Sequence, residues 1–376
     1  MASLENPFNL VEEGGTRIIV TYKKNRVVGM VSPYAMALAS PVWKKFIFPP
    51  FRQMPPNSDT AVFLERAGTT KNIDDTVVLE TAGTTESSQP VVTEKIATSK
   101  LETSNLSVEP TEEIDFAEDP AEALLILLNI THFRFTKVPL TLPLDTLSDI
   151  AILCDQYDCV HLVKPWLSEW LADESTGWKA AVYVFGGSSR EKWLFVAWVF
   201  GREQVLKDFS SSIVRNLCTH GEGDCTALEA INGPMPPELV ESILRVRRAS
   251  IEKALAIFNE CIDRFTSNSG VLCLHRDAAC DAITYGSLLR GLQIHNIHPN
   301  MDADDLDISL DDLIEELASL KVHVYFKRDR YTDHSKCFAT DFVKELDTVR
   351  KEIEDPVLES HIHHMEVQRA KLNGEN

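Results

Sequence analysis

The chain has 376 residues, 44% of them hydrophobic, and carries 37 Lys and Arg against 57 Asp and Glu, a formal net charge of −20. That length and apolar content support a sizeable core in two or three domains, and the acidic excess argues against nucleic-acid binding through bulk attraction to phosphate. The longest apolar runs, Ala123 to Leu128 and Trp193 to Phe200, fall far short of the roughly 20 residues that span a bilayer. The start shows no signal peptide, and eight cysteines without secretory features point to reduced thiols in a cytoplasmic or nuclear protein.

After an N-terminal tail over 1–13, Thr16 to Tyr22 and Arg26 to Val31 form two β-branched runs around the turn residues Lys23, Lys24 and Asn25, which reads as a hairpin. Ser32 to Ile47, SPYAMALASPVWKKFI, then predicts one or two short helices ending in aromatic residues. Composition changes over 52–113, which is rich in Thr, Ser, Glu and Asp and holds a tandem repeat: Asn57 to Lys71, then Asn72 to Glu86. Two polar copies cannot stack into a solenoid, so this low-complexity insertion reads as a disordered surface linker. Its Val77-Val78-Leu79 and Val91-Val92 runs offer the alternative of a docking strand.

A strand near Ile114 to Phe116 precedes the most apolar part of the chain. Asp119, Pro120 and Glu122 have the spacing of a cap, a first helical position and a capping box. Leu124, Leu125, Leu127, Leu128 and Ile130 leave the following helix almost no polar face. Pro139 and Pro143 frame a turn, and Leu147, Ile150, Ala151, Cys154 and Tyr157 mark an amphipathic helix. A third helix carries Leu162, Val163, Trp166, Leu167 and Trp170, with Pro165 expected to kink it.

This order of hairpin, helices, strand and three helices resembles a BTB/POZ domain. The segments "LASPVW", "EDPAEALLILLNI" and "YDCVHLVKPWLSEWL" are similar to fungal members of that family. The resemblance implies an α+β N-terminal BTB/POZ-like domain, a small sheet capped by helices, built from 14–51 and 114–172 with the insertion looped out between them. Many animal members carry an Asp and a His at positions that fall near Gly15 and Val31 here, so their partner contacts are not carried over.

The remainder, 173–376, reads as a mainly α-helical C-terminal domain, and "LFVAWVFGREQVLKDFSSSIV" and "CDAITYGSLLRGL" resemble the region that accompanies fungal BTB domains. Trp178, Phe185, Trp193, Phe195, Trp198 and Phe200 surround a Gly186-Gly187 turn and read as core aromatics. Pro236-Pro237-Glu238 opens a long helix, Leu239 to Phe265, on which Arg245, Arg247 and Arg248 read as solvated cations. Arg247-Arg248-Ala249-Ser250 matches a basophilic kinase site only in outline, because a mid-helix serine is poorly presented. Met301 to Asp312 superficially resembles a calcium loop but lacks its central Gly and terminal Glu, and reads as a helix start capped by Ser309.

Cys273 and Cys280 form a C-x6-C pair, and His334 and Cys337 an H-x2-C pair. Three thiolates and an imidazole suit tetrahedral zinc, in a site with four protein ligands and hence a structural role. Cys261, His275, His295 and His298 are alternative ligands, and the competing reading is small buried cysteines beside a surface histidine. His361, His363 and His364 read as a solvated tail.

The glycine patterns of phosphate-binding loops, a G-x-S-x-G elbow and an H-E-x-x-H helix are all missing from the sequence. The expected function is protein interaction without catalysis, through BTB-mediated homodimerisation or partner recruitment. A cullin-type ubiquitin ligase adaptor is the alternative, although no kelch, MATH-like or zinc-finger reader follows. An unrecognised helical enzyme is the remaining alternative.

Overall fold

The computed structural model describes residues 6–49, 109–172, 174, 189–218, 226–227, 234–267, 270–325 and 333–375. The chain opens with an α+β unit and continues as helices. Strands β1 (Thr16–Tyr22) and β2 (Asn25–Val31) pair antiparallel, from Thr16 opposite Val31 to Tyr22 opposite Asn25. Lys23 and Lys24 both have positive φ, 49° and 66°, the two-residue turn whose twist matches the strands. Strand β3 (Glu113–Phe116) runs parallel to β1 on its other edge, giving the order β2-β1-β3. Ile18 and Val20 of the central strand are wholly buried.

Residues 6–13 are not a free tail. Phe8 is wholly buried beneath Gly29, where an added Cβ would stand 2.4 Å from the Phe8 Cβ, so only glycine lets the two segments approach. The repeat Asn57 to Glu86 lies outside the described residues, but the two ends of the excursion meet. The Thr111 amide donates to the Ile47 carbonyl at 2.8 Å, and the Thr16 hydroxyl donates to the Thr111 carbonyl at 2.9 Å.

Two helices follow the hairpin, each with a Ser-Pro start. Ser32 caps α1 (Pro33–Ala39), and Ser40 caps α2 (Pro41–Ile47) by accepting from the amides of Val42 and Trp43. Helix α3 (Ala121–Thr131) is buried along most of its length, as its leucine run requires. Its expected Asp119 cap does not form: Pro120 occupies the cap position, and Asp119 accepts a 2.5 Å hydrogen bond from the Tyr157 hydroxyl. Burial raises the Asp119 pKa, partly offset by that hydrogen bond. The backbone carbonyl of Tyr157 also accepts from Ser40, and its ring packs among Trp43, Phe46 and Phe116. Helix α4 (Leu144–Gln156) follows Pro143. A 3₁₀ turn at Val160–Val163 leads into α5 (Lys164–Trp170), where Pro165 sits in the first turn, so it starts this helix and does not kink it.

Helix α6 (Ser189–Val199) packs on α4 and buries Trp193, Phe195 and Trp198; Trp178, Phe185 and the Gly186-Gly187 turn lie outside the described residues. Helix α7 (Glu203–Asn216) leads towards the long α8 (Leu239–Ser267), followed by α9 (Ala278–Ile294), α10 (Leu310–Ala318), α11 (Phe342–Lys351) and α12 (Glu359–Asn373). Ser309 caps α10 as expected, accepting from the Asp312 amide. Three sequence readings are corrected here. Arg247 is buried and donates to the carbonyls of Leu217, Leu306 and Ile308, which accounts for a cation in the interior. Six cysteines are free thiols, but Cys218 is disulfide-bonded, so the cysteines are not all reduced. Helix α12 folds back onto the N-terminal half: His361 is buried and contacts the Pro237 carbonyl, Lys371 pairs with Asp158 at 2.6 Å, and the His364 ring stacks on Trp198 at 3.8 Å, while His363 is exposed.

Burial pushes His364 down to about 4, and the nearby Lys371, His361 and His363 add to the effect. The folded chain therefore keeps this ring neutral where an unfolded histidine, at its ordinary 6.5, has taken up a proton. The unfolded state binds more protons in that window, so stability is expected to fall as pH drops from about 6.5 to about 4. His364→Phe, which keeps a stacked ring without the proton site, is expected to flatten that decline in denaturant titrations repeated across the window.

Candidate metal centre and exposed apolar face

Two short local structures carry the four candidate ligands. The first is the loop entering α9. Arg276 takes a left-handed turn with φ 50°, its amide donating to the Cys273 carbonyl, and the Asp277 carboxylate caps the helix through the Ala279 amide. This brings Cys280, in the first turn of α9, back beside Cys273, so a sharp turn and a helix start span the C-x6-C gap. The second is a 3₁₀ turn at His334–Lys336, capped by Asp333, in which the Cys337 amide donates to the His334 carbonyl.

The two arms converge. His334 Nδ1 stands 3.4 Å from Cys273 Sγ and 3.7 Å from Cys337 Sγ, the two sulfurs are 3.7 Å apart, and the ligand atoms of all four residues lie within 4.8 Å of one another. A tetrahedral ion with metal–sulfur bonds of about 2.3 Å and metal–nitrogen bonds of about 2.0 Å sets its ligands about 3.8 Å (S to S) and 3.5 Å (S to N) apart. The contacts around Cys273, His334 and Cys337 already have those spacings. Cys273, Cys280 and His334 are buried and Cys337 half-buried, and His334 Nε2 is buried without a hydrogen-bond partner.

The electrostatics also call for a cation. Burial pushes the Cys273 thiol up, but donation from the Asp277 and His275 amides and from the neighbouring thiols outweighs it and leaves the pKa below the ordinary value. Burial, then the proximity of Cys273 and Cys337, drives Cys280 up to about 12. The Cys273 thiolate is stabilised and that of Cys280 is resisted, and a positive ion between them would favour both in the ionised form. This buried Cys3His cluster can hold a metal ion.

The alternative ligands are outside the four-residue cluster, His275 beside it and the others farther along the chain's fold. His275 contacts the Asp333 carbonyl at 3.0 Å and packs its ring against His334. His295 pairs with Glu316, His298 is exposed, and Cys261 is buried within α8. Sequence spacing put these four forward as candidates but left Cys261, His275, His295 and His298 open; the convergence, the supporting amide donors and the His275 contact needed three-dimensional placement.

A second feature lies on the N-terminal unit. Leu38 is 88% exposed and Tyr34 64% exposed, four residues apart on α1. Ser32, at the start of that helix, donates its amide to His132 Nε2 at 2.8 Å, which places α1 beside the end of α3. There Phe133 is 77% exposed with φ 59°, at the position after the helix where glycine is usual. Its amide donates to Ile130 and that of Arg134 to Asn129, closing the helix end. Holding a bulky residue in this conformation costs about 1–2 kcal/mol. The rings run on from Phe133 to Phe135, Trp166 and Trp170 at spacings of 6.0, 5.7 and 6.3 Å. Among the described residues no helix is long and apolar enough to cross a membrane.

Comparisons with family models, with curated proteins and with solved structures gave no match, so the geometry carries the functional reading.

Metal binding at this cluster is expected to release protons, because Cys280 is protonated near neutral pH in the metal-free chain. Titrating cobalt or zinc into metal-free protein in a weakly buffered indicator solution should acidify it, with affinity rising from about pH 6 to about pH 8. Binding without proton release would place the ion elsewhere.

Proposed function

We propose that this chain is a non-catalytic protein-interaction module. A BTB/POZ-type unit, formed by 14–51 and 114–172, self-associates, and the helical region 173–376 is clamped by a structural zinc ion on Cys273, Cys280, His334 and Cys337. The observation that carries the interaction reading is the joint exposure of Tyr34, Leu38 and Phe133 on adjoining elements. Large apolar side chains grouped on a surface mark contact sites, and an aromatic held at a backbone position suited to glycine is tolerated where it serves such a contact. A second copy is the simplest occupant, since a twofold contact lets the same patch cover itself. The segment order that resembles BTB/POZ domains supports the same reading.

Zinc is the favoured ion because three thiolates and one imidazole match its ligand preference. Four protein ligands leave no open position for water, so the ion's role is to join the loop before α9 to the turn before α11. Both are short irregular segments, and metal bonds would add cohesion between them.

Light scattering of the intact chain at micromolar concentration is expected to give twice the chain mass, and the double variant Leu38→Asp, Phe133→Gly the single mass. Phe133→Gly alone is expected to raise stability by about 1 kcal/mol, since glycine relieves the left-handed strain. A wild-type chain of single mass would refute self-association.

Metal analysis of protein purified without chelator is expected to find one zinc per chain, and none in Cys280→Ala. Removing the ion should lower the unfolding temperature. Protein purified without any zinc would contradict the metal reading.

A further inference from the structure

The candidate metal cluster borders a cavity. Cys280 and Cys337 line a cavity of about 220 Å³ whose wall also includes Arg264, Leu272, Phe338 and Thr340. Such a cavity admits a small solute. Cys337 is the least buried of the four ligand residues, and its sulfur stands 3.7 Å from that of Cys273. Disulfide formation draws two sulfurs to about 2.05 Å, a movement of under 2 Å for this pair. Arg264, whose guanidinium donates to the Thr340 hydroxyl at 3.0 Å, places a positive charge on the cavity wall.

We infer that Cys337 is a peroxide-oxidised modification site whose oxidation opens the metal clamp. This rests on the zinc reading proposed above, because the clamp that opens is the ion held by Cys273, Cys280, His334 and Cys337. A hydroperoxide enters through the cavity, and the Cys337 sulfur attacks its distal oxygen. The S–O bond forms as the O–O bond breaks, and the leaving hydroxide or alkoxide takes a proton from water beside the Arg264 charge. The Cys273 thiolate then attacks the Cys337 sulfur, forming the S–S bond and expelling the hydroxyl group as hydroxide, which is protonated in turn. The two thiolates lose two electrons and the peroxide gains two. With two of its four ligands spent, the site no longer holds the ion. The consequence is a clamp between the loop before α9 and the turn before α11 that opens under oxidant and closes again when a thiol reductant and zinc are restored.

The experiment uses the full chain, first assayed for zinc. Hydrogen peroxide is added in the presence of a chromogenic zinc chelator, and disulfides are mapped by peptide mass spectrometry without reduction, before and after treatment. The expected result is release of one zinc per chain together with a new Cys273–Cys337 disulfide, reversed by dithiothreitol and zinc. Thr340→Phe, which fills the cavity from a residue that is not itself a ligand, is expected to keep the zinc and to slow its release about tenfold. Zinc retained under peroxide, zinc lost without that disulfide, or release from Thr340→Phe at the wild-type rate would each overturn the inference while leaving the zinc reading intact. A chain purified without zinc would instead overturn the zinc reading itself.

Discussion

The pairing of β1 with β3 is the constraint on which the N-terminal architecture depends. β1 is the central strand, held on one side by a local hairpin and on the other by a strand that arrives some 90 residues later, Ile18 opposite Ile114 and Val20 opposite Phe116. A one-residue slip in that register would turn Ile18 and Val20 away from the core. The Thr111 contacts with Ile47 and Thr16 fix it by bringing the chain back to the point it left. Because β3 feeds α3 directly, the register also sets where α3 lies, and through the His132 contact with Ser32 it sets α3 against α1. The exposed aromatic turn and the exposed face of α1 are therefore placed through the register of buried strand residues.

The helical remainder is joined to this unit by packing. Helix α6 lies on α4, and α12 returns to stack His364 on Trp198 and pair Lys371 with Asp158. Buried Arg247 ties the long α8 to three carbonyls from two segments, those of Leu217, Leu306 and Ile308, a hydrogen-bonded polar link in the interior. The loop before α9 and the turn before α11 meet at Cys273, Cys280, His334 and Cys337. There the chain brings together three thiols and an imidazole, and the resistance of Cys280 to ionising beside its neighbours favours a cation in the site.

Much of this organisation can be read from the residues. Alternating β-branched runs around Lys23 and Lys24, Ser-Pro starts at α1 and α2, the leucine run of α3 and the Ser309 cap all act locally, so local patterns identify them. The failures share a cause. Asp119 has the spacing of a cap, but a buried tyrosine hydroxyl from 38 residues away competes for its carboxylate and wins. Arg247 and His364 look solvated in a linear reading, and only tertiary carbonyls or an indole ring turn them inward. Likewise, spacing put Cys273, Cys280, His334 and Cys337 forward without excluding His275 or His295; the convergence of two turns separates them. Phe133 carries no sequence mark of its left-handed backbone, since that conformation follows from how α3 must end against α1.

The most direct test of the account's central claim is amide hydrogen exchange on a chain in which 52–108 is replaced by a short Gly-Ser linker. Because the Ile47 and Thr111 ends already meet, β1 is expected to pair with β3 unchanged, and the Ile18, Ile19 and Val20 amides to keep their full protection. Loss of protection in β1 and β3 with the linker in place would contradict the claim that these two strands form one sheet across the excursion.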